Sequence, residues 1–147
     1  MTNRQTGRLP GALPALHPLG PDALTAPFWD AARQHRLVAA RCDDCGRFRH
    51  PPAAYCPNCN HQSVTWTQLS GDAAIYTFTI ARHPVIPELV GHTPYVIAAV
   101  EPVDAPDLKL VTNIVTDDPD TLRIGQPVRV AFDDLDDETT IPRFVPA

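Results

Sequence analysis

The chain has 147 residues, a formal charge of −5 and a single lysine, Lys109. Nucleic acid is held by clustered Lys and Arg that release counterions, so this balance disfavours it, and no apolar run approaches the about 18 residues of a membrane span. Seventeen prolines are about twice the usual share and argue for turns and extended connections: a mainly β chain of one domain or two small modules.

Residues 1–21 read as a flexible arm. Pro10, Gly11, Pro14 and Pro18 forbid a continuous helix, while Leu9, Leu13, Leu16 and Leu19 suit either a groove or simple disorder. Residues 22–63 are expected to form a short helix and a zinc ribbon. Thr25 is placed to cap the helix and Pro27 fits its first turn. Phe28 and Trp29 then bring more aromatic area than so short a helix needs. They pack on the chain's own core or present themselves to a partner. Leu37-Val38-Ala39-Ala40 reads as a strand entering the ribbon.

All four cysteines follow, as Cys42-x2-Cys45 and Cys56-x2-Cys59. Each Cys-x2-Cys turn supplies two sulfurs, and the intervening stretch folds the pairs together at one tetrahedral point, as Zn²⁺ prefers. Gly46 permits a tight turn. Two disulfides would need an oxidising compartment, and the first residues lack the apolar core of a signal peptide, so a cytoplasmic chain with structural zinc is expected. Four thiolates leave no open position for water or substrate, which makes the metal non-catalytic. A tetrathiolate zinc centre takes the net charge to about −7. His50 and His61 lie near enough in sequence to replace a cysteine, but are expected at the surface.

Residues 64–147 alternate with the period of half-buried strands. Val64–Leu69, Ala74–Ala81, Tyr95–Glu101, Leu108–Val115 and Pro127–Phe132 give five strands. A helical turn over Asp117–Leu122 precedes the fifth, and together they fit a small closed OB-type barrel. The connection from His83 to Pro94 is long enough to be functional, and its His83 and His92 are the positions where a general base could sit. Asp133 to Glu138 crowds five acids into six residues without the order of a calcium loop, and reads as a solvated hairpin tip. No nucleophile elbow, phosphate loop or dinucleotide fingerprint appears.

Taken in order, Pro27-Phe28-Trp29, Cys42-x2-Cys45-Gly46, Pro51-Pro52, Cys56-Pro57-x-Cys59, Trp66, Ser70-Gly71, Pro94-Tyr95, Ile124-Gly125 and Ile141-Pro142-x-Phe144 form a specific series. It resembles the DUF35 family, acyl-CoA-associated proteins with a rubredoxin-like zinc ribbon and an OB fold, and the match runs from about Asp22 to Pro146. The resemblance implies zinc ligands at Cys42, Cys45, Cys56 and Cys59. It also implies a non-catalytic subunit that joins a thiolase-like or aldolase subunit in a hetero-oligomer, as in steroid side-chain or fatty acyl-CoA metabolism. Phe28 and Trp29 are then the candidate contacts with that partner, and Arg82, Lys109 and Arg129 are weak candidates for the phosphates of an acyl-CoA. One departure is Ala73, where the family tends to have glycine. The competing functions are a single-stranded nucleic-acid module, which Trp66, Tyr76, Phe78 and Tyr95 would serve by stacking, and a stand-alone acyl-CoA thioesterase.

Overall fold

The computed structural model describes residues 7–16 and 19–147; the parts of the expected arm at 1–6 and 17–18 lie outside the described residues. Among the described residues one α-helix, α1 (Ala26–Ala32), precedes eight strands: β1 (Val38–Cys42), β2 (Phe48–Arg49), β3 (Val64–Gln68), β4 (Asp72–Ala81), β5 (Tyr95–Pro102), β6 (Leu110–Ile114), β7 (Pro127–Asp134) and β8 (Thr140–Pro146). Strands β2-β1-β3 make a three-stranded antiparallel sheet, and β4-β5-β6-β8-β7 close into a barrel.

The membership of the barrel differs from the expectation. Val64–Gln68 pairs along its whole length with β1, from Val38↔Gln68 to Cys42↔Val64, and so belongs to the ribbon sheet. The fifth barrel strand is β8, which pairs with β7 and closes the barrel through a parallel contact between Ile114 and Phe144. A helical turn at Pro119–Thr121 lies between β6 and β7, as expected.

Helix α1 starts differently from its sequence signal. Thr25 makes no capping bond. Instead the Asp22 carboxylate accepts from the Leu24 and Thr25 amides at 3.0 and 2.8 Å, and the Thr25 amide leads the interactions that hold this carboxyl below its ordinary range. At the other end His35 takes a left-handed φ of 54°, and the Arg36 amide reaches back to the Ala31 carbonyl at 3.0 Å, the arrangement usually built on glycine. The His35 ring stacks on Phe132 with centroids 5.1 Å apart and meets the Asp134 carboxylate at 2.9 Å. These contacts pin the helix end to the barrel.

Gly71 sits at the junction of the two sheets with φ +90°, and a Cβ there would come within 2.5 Å of Val130 Cγ1. Only glycine meets both conditions. Ala73, the family departure, is 3% exposed and its methyl joins the core, so the close approach falls on Gly71. A bulge between Ile75 and Thr77 turns Tyr76 outward, as an unpaired extra residue does. One apolar cluster runs through α1 and β1 into the barrel, from Phe28, Ala31, Leu37 and Val38 to Ile75, Val96, Val100 and Phe144. Among the described residues no helix is long and apolar enough to cross a membrane.

Candidate functional site

The four cysteine Sγ atoms lie within 4.8 Å of one another. Cys42 and Cys59 are 3.5 Å apart and Cys45 and Cys56 3.6 Å, too far for a disulfide at about 2.05 Å. Tetrahedral zinc with Zn–S of about 2.3 Å places its sulfurs about 3.8 Å apart, so the donor set fits that ion.

The two cysteine turns repeat one design. The Gly46 amide donates to the Cys42 carbonyl at 3.0 Å and the Asn60 amide to the Cys56 carbonyl at 2.8 Å. In return Cys42 N–H reaches the Arg47 carbonyl and Cys56 N–H the His61 carbonyl, at 2.9 and 2.8 Å. Gly46 and Asn60 occupy the same place in their turns with φ +74° and +64°; asparagine is among the few residues that adopt this region readily. Asn60 lies one position past the Cys56-x2-Cys59 motif, so the spacing that marks the cysteines does not mark it.

Backbone amides aimed at the sulfurs set their acidity. The Arg47 amide lowers the Cys45 thiol, and the amides of Cys59 and Asn58 bring Cys56 down to about 6. Cys59 receives the His61 amide, yet burial and the sulfurs of Cys42, Cys45 and Cys56 push it up to about 12. Thiolates this close repel one another unless a divalent cation sits between them. Arg49, only 5% exposed, braces the second turn by donating to the Gln62 carbonyl at 2.7 Å and the His61 carbonyl at 3.4 Å. Nothing in its sequence context singles it out.

The acid cluster is not a solvated tip throughout. Asp133 is fully buried and Asp134 nearly so, while Asp136, Asp137 and Glu138 are exposed. Asp133 accepts from Arg143 Nε at 2.9 Å, Arg8 Nε at 2.8 Å and the Leu9 amide at 3.0 Å. Asp134 is buried against its charged form, but the Thr140 hydroxyl, the His35 ring and the Gly7 amide hold its carboxyl below the ordinary range. The described part of the arm therefore docks on the barrel through two carboxylates, and Arg8 and Arg143 both donate to the Leu13 carbonyl.

Phe28, a candidate partner contact, is 9% exposed and belongs to the core; it packs edge-on against Trp29 at 5.0 Å and against His50 at 5.1 Å. Trp29 alone of the pair is half-buried at the rim. His50 is not the surface residue expected: burial holds its ring below the ordinary imidazole range, and its Nδ1 is buried without a partner. Arg82, Lys109 and Arg129 each hold a separate ion pair. Arg82 follows the end of β4 and pairs with Asp120, Arg129 pairs with Asp72 at the start of β4, and Lys109 pairs with Glu101 over the Tyr76 ring. His83 and His92 are exposed on the connection between β4 and β5.

Fold and centre together define a protein with a four-cysteine zinc ribbon set on an OB-fold barrel. Two family models match in register with these modules: "ChsH2, rubredoxin-like zinc ribbon domain" over residues 29–63 and "ChsH2, C-terminal OB-fold domain" over residues 66–133. A solved structure titled "Ltp2-ChsH2(DUF35) aldolase" contains a chain 36% identical to this one, with a TM-score of 0.77, over 88% of this chain and 98% of that one. The chain belongs to the DUF35 family. A probable enoyl-CoA hydratase alpha subunit of Thermomonospora curvata is 40% identical over 82% of this chain, which spans 37% of that relative's length. A DUF35 domain-containing scaffold protein of Methanothermobacter thermautotrophicus is 28% identical over 68% of this chain and 74% of its own length.

Proposed function

We propose that this chain is a non-catalytic accessory subunit of a thiolase-fold acyl-CoA enzyme of the aldolase or thiolase type, working in the cytoplasm. The observation that carries the reading is the 36% identity to the DUF35 chain of an aldolase over 98% of that chain. Kinship with scaffold proteins agrees with it. The hydratase name of the Thermomonospora relative describes a protein of which this chain matches little more than a third, so hydration is not carried over.

In this role the zinc is structural. Cys42, Cys45, Cys56 and Cys59 hold it, and its task is to fix the ribbon sheet that supports α1. The partner-facing residue is Trp29, because Phe28 is spent in the core. An uncharged stretch of outer barrel surface is available as well: Thr77, Ala99 and Val111 lie in one cross-strand row and Thr79 and Ile97 in the next, with Val111 78% exposed. Any acyl-CoA would bind jointly with the partner. Arg82, Lys109 and Arg129 are each paired with an acid, so we do not place its phosphates on them.

The test is capture of the tagged full chain from its native cells, mass spectrometry of what co-purifies, and titration of the complex with CoA thioesters. A thiolase-fold enzyme is expected, with activity that falls when this chain is withheld. Trp29→Ala is expected to weaken the complex at least about tenfold, as for an aromatic anchor at an interface. If the purified enzyme is fully active and soluble alone, the accessory role fails.

A further inference from the structure

We propose that the cleft between the N-terminal arm and the barrel is a binding site for a neutral, apolar small molecule. Its volume is about 540 Å³, inside the roughly 300–1,000 Å³ range of sites that take drug-sized ligands. Segments far apart in sequence build it: Leu13 and Leu16 from the arm, Trp29 from α1, Pro52 from the stretch after β2, and Val111 and Ile141 from the barrel. Interiors are packed to leave few voids, and apolar cavities that remain are the ones that accept hydrocarbon guests.

The charges that the described residues bring to the wall disfavour an ionic occupant. Among the described residues Arg143 is the one permanently charged side chain that lines the cleft, and it is committed. Its Nε goes to Asp133, one terminal nitrogen to Asn113 Oδ1 at 2.6 Å and the other to the Leu13 carbonyl at 3.2 Å. It is 4% exposed. His50, also in the wall, is kept toward its neutral form by burial. A carboxylate or phosphate would leave water and find no free countercharge among the described residues, whereas an acyl chain or fused ring system gains apolar contact with Leu13, Leu16 and Ile141.

The arm wall is fixed from outside the cleft. Arg8 does not line the cleft, yet it bridges Asp133 to the Leu13 carbonyl. It is therefore a positioning residue for the pocket.

The zinc-loaded full chain is titrated with N-phenyl-1-naphthylamine, an uncharged fluorophore, and the bound probe is then displaced. Saturable one-to-one uptake in the micromolar range is expected, with 1-decanol displacing the probe at a concentration at least tenfold below that of decanoate. Leu13→Glu is expected to weaken uptake at least tenfold and Arg8→Ala about threefold. Val111→Glu, at a position 78% exposed where the fold tolerates charge, is expected to weaken it about threefold, while Val103→Glu, exposed and outside the cleft, leaves it unchanged. No saturable uptake, wild-type affinity in both Leu13→Glu and Val111→Glu, or equal displacement by decanoate would overturn the site. Uptake needs no partner, so failure to capture an aldolase would leave it standing, and capture without uptake would remove this site alone.

Discussion

The cysteine end and the barrel are small β structures held in different ways. The barrel closes on itself and fills its interior with Ile75, Val96, Val100, Val128 and Phe144, all at most 1% exposed. The cysteine turns, with β2 only two residues long, have almost no interior: apart from the sulfurs, residues 43–47 and 57–62 are half-buried or exposed. The comparison shows a metal standing in for a core where the chain is too short to make one, and burial sufficing where strands are long enough to close.

Removing the metal should separate the two regions most. Zinc binding in such ribbons amounts to about 10–16 kcal/mol of folding free energy. Chelation, or Cys42→Ser, is expected to abolish amide protection in both cysteine turns while β4 and β5 keep theirs by hydrogen exchange. Equal protection with and without metal would erase the contrast. On the barrel side, Asp133→Ala leaves the buried Arg143 unpaired, which costs about 3–5 kcal/mol. Urea unfolding should show that loss with zinc content unchanged. At the junction, Gly71→Ala combines a left-handed backbone with a clash against Val130 and is expected to cost about 2–4 kcal/mol. A change within about 0.5 kcal/mol, the range of an ordinary surface substitution, would mean the link is slack.

Acid should act on the two regions in separate windows. His50 is lowered by burial, so the unfolded chain binds its proton first, and stability falls as pH drops below about 6.5 toward the folded value. Asp134 is also lowered; its contribution is complete above the unfolded value of about 3.9 and is lost as pH falls through the folded value. His50→Phe should flatten the first slope in unfolding measured against pH and leave the second.

The zinc centre was legible because Cys-x2-Cys spacing is a local property, and so were the alternating strands. Which strand pairs with which was not. Val64–Gln68 reads as half-buried β and is counted into the barrel, while Ile141–Phe144 stands only as the closing motif of the series; tertiary hydrogen bonding alone assigns the first to β1 and makes the second a barrel strand. Asp133 looked solvated because its partners Arg143 and Arg8 are 10 and 125 positions away. Phe28 and Trp29 are adjacent in sequence but split between core and rim, since neighbouring positions on a helix face different ways.

The link from ribbon to barrel is Leu69-Ser70-Gly71. Leu69 is buried and its amide meets the Leu37 carbonyl, the Ser70 amide meets Asp104 at 2.7 Å, and the Gly71 carbonyl accepts from Val130. Each of its three residues is tied by a backbone hydrogen bond. The molecule should thus tumble with a single rotational correlation time, and a probe fixed at the zinc would report the orientation of whatever grips the barrel, as a bracket carries alignment from one bolt to the next.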